Sequence, residues 1–119
     1  MRRLIVALSV AAALCVSVQA NAQSQDEEIA LTEKAKDLVS RSLKDPSSAQ
    51  FRDVYLMPKP KGGKCVCGWV NSKNSFGGYV GFRRFISDGT ADLTTMDEDS
   101  PLFGALVPFN ELWAAFCKK

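Results

Sequence analysis

Histidine is absent from the 119 residues. The side chain that most often moves protons near neutral pH is therefore missing, and so is the commonest metal ligand. A serine–lysine pair or two carboxylates would remain for catalysis. No motif marks either, so the sequence leans away from an enzyme. Asp88, Asp92, Asp97, Glu98 and Asp99 read as turn and loop solubilisers. A phosphate-binding loop is missing too. Gly77-Gly78 lacks the GxxxxGKS/T spacing, and strand-forming residues follow it where a helix is needed.

Net charge is nearly lacking. Lys and Arg number 15 against 13 Asp and Glu, and removal of Arg2 and Arg3 with a leader would leave 13 against 13. A neutral chain gives no whole-protein argument for nucleic acid or an anionic membrane. The charge is segregated, however. From Arg52 to Arg84 there are seven bases and a single acid, Asp53. From Asp88 to Glu111 there are six acids and no base. Either the two segments compensate each other in space, or the first forms a basic surface for an acidic partner.

No apolar run is long enough to span a bilayer comfortably. The longest, Leu4 to Val18, follows the basic Met1-Arg2-Arg3 and ends at small residues around Ala20 and Ala22. This pattern predicts a secretory signal over residues 1–22, cleaved after Ala20 or Ala22. The arginines sit directly against the apolar run, which disfavours a twin-arginine signal. Leu14 precedes Cys15 where a lipid-attachment box needs a small residue. Residues 23–119 are then expected to form a single small domain with one modest core and no transmembrane span, periplasmic or secreted. There is no internal repeat and no linker long enough to separate domains.

Ser24 and Glu27 match a capping box, with acids suited to a helix N-terminus. Leu31, Ala35, Leu38, Val39 and Leu43 recur at helical spacing, so a helix is expected from about residue 25 to 44, stopped by Pro46. FRDVYLM (Phe51 to Met57), KCVCGWV (Lys64 to Val70) and YVGFRRFI (Tyr79 to Ile86) read as strands. Asp88-Gly89 signals a tight turn into TADLTTM, and DEDSP reads as a polar loop. A last helix is expected after Pro108, capped by Asn110, with Phe109, Leu112, Trp113, Phe116 and Cys117 on one stripe. The fold class is α+β: an N-terminal helix, a three- or four-stranded antiparallel meander sheet, and a C-terminal helix.

Cys65, Cys67 and Cys117 remain after leader removal, and disulfides are the default in an exported chain. Cys65 and Cys67 fall on one face of one strand, with Cα atoms about 6.5–7 Å apart, at the edge of what a disulfide tolerates. A bridge from Cys117 to that strand would tether the last helix. Strand alternation alone leaves both Cys65 and Cys67 open as its partner, the other being a free thiol. Metal binding by these three cysteines lacks a fourth ligand, so no metal and no cofactor are expected.

The stretch NSKNSFGGYVGF, Asn71 to Phe82, is dense in turn-forming residues. Its asparagines and serines can bond backbone groups, its glycines can take positive φ, and Phe76 is expected to fold back over the core. Read this way, it is a wide, self-bonded hairpin loop. Read functionally, it presents Asn71, Lys73, Asn74, Tyr79 and Arg83 to a ligand. GYVGFRRF is superficially like the aromatic strand of RNA-recognition domains. Alternation sends Tyr79 and Phe82 to opposite faces, so nucleic acid is not an expected partner.

LKDPSSAQFRDV (Leu43 to Val54) followed by CGWVNSKNSFGGYVGFRRF (Cys67 to Phe85) resembles a set of small exported bacterial proteins. Their shared signature is KDPxSAxF, then CGxVNxKNSxGGYxGFxxF. Trp69 departs from the pattern, which carries a polar, often acidic residue there. The resemblance implies an envelope protein of a Gram-negative bacterium. It also favours Cys67, in the CG pair, as the structural cysteine. It brings kinship without a mechanism.

Three functions are therefore expected in order. The first is a non-catalytic binding or interaction module of the bacterial envelope, whose partner is a protein or an envelope ligand. The second is a thiol-redox or disulfide-exchange protein using Cys65 and Cys67. The third is a structural envelope component without a discrete site.

Overall fold

The computed structural model describes residues 2–97 and 107–119, with side chains from residue 22 onward. Two compact units are distinguished, Met1–Ala30 and Leu31–Lys119. Helix α1 (Arg2–Arg41) starts earlier and ends sooner than expected. No proline or glycine precedes Pro46, so nothing halts helix propagation through Ser24. Ser24 and Glu27 therefore sit inside the helix instead of capping it. At its other end the chain tightens. The amides of Ser42 and Leu43 donate to the carbonyls of Val39 and Ser40, and Pro46 opens a short 3-10 turn, Pro46–Ser48. Among the described residues no helix is long and apolar enough to cross a membrane.

Four strands follow: β1 (Gln50–Pro58), β2 (Lys64–Asn71), β3 (Arg83–Ser87) and β4 (Thr94–Met96). They form an antiparallel meander in the order β1-β2-β3-β4, and helix α2 (Phe109–Phe116) completes the expected α+β arrangement. Three expectations are corrected, the first being that only Thr94–Met96 of the expected TADLTTM strand pairs with β3, after a connection over residues 88–93. β3 starts at Arg83 rather than Tyr79, whose only ladder contact is an isolated bridge to Lys73. Pro108, not Asn110, precedes the first residue of α2. The Asn110 side chain is instead taken by Arg84, which donates to its Oδ1 at 2.6 Å. Beyond Asp97, the expected DEDSP loop lies outside the described residues.

The sheet buries both faces. Val66, Val70, Phe85 and Met96 pack with Ala35, Val39 and Leu43 of α1, joined by Phe51, Val54 and Leu56. Cys65, Cys67 and Ile86 pack with Leu112 and Cys117, joined by Tyr55, Met57 and Trp113. Strict alternation in β1 would put Phe51 and Val54 on opposite faces. A bulge between Arg52 and Tyr55, with Asp53 at φ 51°, inserts one residue and returns Val54 to the α1 side. Gly68 is required where β2 crosses this layer, because a Cβ there would lie 3.0 Å from the Phe85 ring and 3.1 Å from the Val54 Cα.

Candidate ligand-binding site

The segment between β2 and β3 is held by its own polar groups. Asn74 Oδ1 accepts from the amides of Phe76 (2.9 Å) and Gly78 (3.1 Å), and the Asn74 amide donates to the Gly78 carbonyl at 2.8 Å. Gly77 stands at φ 80°, which a side chain would strain. Asn71 Oδ1 accepts from the Gly81 amide at 2.9 Å, and the Val80 amide donates to the Ser72 carbonyl at 3.2 Å. The self-bonded hairpin is therefore present. Phe76 does not fold back, however: it is 97% exposed. Its own amide is tied to Asn74, which fixes it at the tip.

Ser48 docks this loop onto the turn after α1. The Lys73 amide donates to Ser48 Oγ at 2.8 Å, and the Tyr79 hydroxyl donates to the Ser48 carbonyl at 3.2 Å. Buried Ser48 thereby joins the turn after α1 to the loop between β2 and β3.

Between them lies a concavity of about 420 Å³. Ser42, Leu43 and Lys44 form one wall, Ser72, Lys73, Asn74 and Val80 another, and Phe82, Arg83 and Met96 complete the lining. Three of these residues are bases and none is an acid. Among the described residues no carboxylate pairs with Lys44 or Lys73. Lys73 instead carries its ammonium 5.6 Å from the centre of the Tyr79 ring. Elsewhere the basic run is neutralised by the acidic one. Lys59 pairs with Asp88 at 3.1 Å, and Arg84 with Asp97 at 2.8 Å. Compensation thus accounts for part of the charge segregation, and among the described residues it does not reach Lys44 or Lys73.

Of the five residues singled out in the sequence, Lys73, Asn74 and Arg83 share this lining. Asn71 and Tyr79 hold the loop and do not line the concavity. Sequence reasoning missed Ser42, Lys44 and Ser72. Lys44 carried a usable signal, because a lysine beside Asp45-Pro46 stands where the chain leaves α1 and reverses.

The cysteines form a second cluster, with the three sulfurs of Cys65, Cys67 and Cys117 within 4.8 Å of one another. Cys67 and Cys117 are bonded, their Cα atoms 5.8 Å apart. Two of the three sulfurs are thereby withdrawn from metal ligation. Cys65 is a buried thiol whose pKa is pushed up to about 11, first by burial and then by the negative charge of Asp88. A thiol so protonated is a poor nucleophile at neutral pH. Asp88 is more than a loop solubiliser. Burial acts to raise its pKa, but hydrogen bonds from Thr90 and Lys59 outweigh it and hold the carboxyl below its ordinary value.

Compared with known protein families, characterised proteins and solved structures, the chain matches none.

Proposed function

We propose that this chain is an exported, non-catalytic binding module whose ligand is a small amphiphilic anion, a phosphate or carboxylate bearing an apolar part. The reading rests on one observation: a concavity lined by Lys44, Lys73 and Arg83, with no acid in its lining. The hydroxyl of Ser72 and the side-chain NH2 of Asn74 offer hydrogen bonds to an anionic head, while Ser42 gives its hydroxyl proton to the Val39 carbonyl. Leu43, Val80, Phe82 and Met96 offer an apolar surface for the rest. With six polar or charged and four apolar residues in its lining, the concavity is more polar than the usual small-molecule pocket, which suits a ligand with a charged head. The buried, protonated Cys65 thiol does not favour the redox reading.

The test is calorimetric titration with octyl phosphate, octanoate and neutral octyl glucoside. The anions should bind and the glucoside should not, with affinity falling as salt is added. Lys44→Ser or Lys73→Ser should each weaken binding about tenfold or more, the scale of a hydrogen bond to a charged group. Equal affinity for the glucoside, or indifference to both substitutions, would remove the reading.

A further inference from the structure

The loop that walls the concavity also carries the most exposed large apolar residue described, Phe76, at 97%. Val80 and Tyr79, at 52% and 46%, extend the exposed apolar surface next to it. Exposed phenylalanine normally collapses onto nearby apolar surface. Here the Asn74 side chain holds the Phe76 and Gly78 amides, and Ser48 anchors the loop through Lys73 and Tyr79. The ring is thus presented on a preorganised support, which limits the ordering cost of docking it. Along its own segment the charge has one sign: no acid occurs from Pro58 to Ser87, and Lys73, Lys44 and Arg83 line the concavity that the loop walls.

We infer that this apex docks on an anionic phospholipid surface. Phe76 enters the boundary between headgroups and acyl chains, while the concavity holds a lipid phosphate. The inference rests on the reading of the concavity as an anion site. A protein partner fits less well, since stable protein interfaces bury roughly 800 Å² on each side and a single-ring tip flanked by Ser75 and Gly77 supplies little of that. A lipid surface needs only shallow insertion of an apolar group plus neighbouring cations, each worth about fivefold in affinity. Neither signal anchors firmly alone; the two together give reversible attachment.

Vesicle flotation tests this with the protein as purified from the cell envelope. All variants are compared in that same form, so that any retained leader contributes equally. Vesicles containing phosphatidylglycerol should bind at least tenfold tighter than vesicles of pure phosphatidylcholine. Phe76→Ser should weaken binding to the anionic vesicles about tenfold. It should leave octyl phosphate binding and the thermal unfolding midpoint unchanged, because the ring touches no core. Lys44→Ser combined with Lys73→Ser should lower vesicle affinity about thirtyfold and abolish octyl phosphate binding. Vesicle binding that is insensitive to Phe76→Ser, or equal for the neutral lipid, would overturn the inference. Octyl phosphate binding without vesicle binding would overturn the lipid surface and leave the anion site standing. Loss of both in the unaltered protein would overturn both.

Discussion

Ser48 and Lys73 lie 25 residues apart and are joined by a 2.8 Å hydrogen bond from the Lys73 amide to the Ser48 hydroxyl. Through this contact the turn after α1 fixes the loop before β3, and the two walls of the concavity become one structure.

Ser48→Ala should therefore cost about 1–3 kcal/mol, because it strands an amide in a partly buried position. Chemical denaturation measures this. The same variant should bind octyl phosphate more weakly, since Lys73 loses its support. An unchanged denaturation midpoint would show that the contact does not hold the loop.

The Cys67–Cys117 bridge closes a separation of 50 residues and ties α2 to the sheet. In the chain-entropy treatment a loop of that size contributes roughly 4 kcal/mol. The double variant Cys67→Ala/Cys117→Ala should lose about that much in urea unfolding. Tyr55 donates to the Cys117 carbonyl at 2.6 Å, and Arg84 lies over the rings of Phe109 and Trp113. These contacts should keep α2 docked, so the double variant should unfold earlier rather than lose its helix at once.

Cys65 should resist iodoacetamide at pH 7 in the folded protein and react only after unfolding. Its folded pKa, about 11, lies above the ordinary thiol value of 9.0. The unfolded chain therefore ionises first. The resulting contribution to stability is complete below pH 9.0 and is lost as the pH rises towards about 11. A scan of unfolding midpoint against pH should show this alkaline loss, and Cys65→Ala should flatten it. Rapid alkylation at neutral pH would contradict the burial and reopen disulfide exchange.

At the acid end Asp88 acts with the opposite sign. Its folded pKa lies below the ordinary 3.8, so its contribution is present above that value and lost as the pH falls through the folded pKa. Asp88→Asn should remove part of the acid dependence and release Lys59. An acid unfolding limb identical to that of the unaltered protein would rule this out.

The elements were legible wherever local chemistry decides them. The α1 stripe from Leu31 to Leu43 and the shared face of Cys65 and Cys67 in β2 follow from period, whereas Asp88-Gly89 marked the reversal but not its length: the connection runs from residue 88 to 93 and only Thr94–Met96 pairs with β3. Ser24 misled because a capping box works only where a helix begins, and the residues before it are themselves helix-forming. The bulge at Asp53 was invisible because it depends on which face Val54 must occupy, a tertiary requirement. Lys73, Asn74 and Arg83 were found as polar residues of one loop. Lys44 and Ser42 were missed because only Ser48, far along the chain from that loop, brings them to it. Phe76 was expected to seek the core, since the hold of the Asn74 side chain on its amide is not a matter of hydrophobicity.

The most direct measurement is a titration of the isotopically labelled protein with octyl phosphate, followed residue by residue by nuclear magnetic resonance. Shifts should concentrate at Ser42, Leu43, Lys44, Ser72, Lys73, Asn74, Val80 and Arg83, saturate, and vanish in Lys44→Ser/Lys73→Ser. Shifts absent there, or centred instead on the separate apolar depression lined by Lys59, Pro60, Lys61, Gly62, Leu93 and Phe116, would contradict the account.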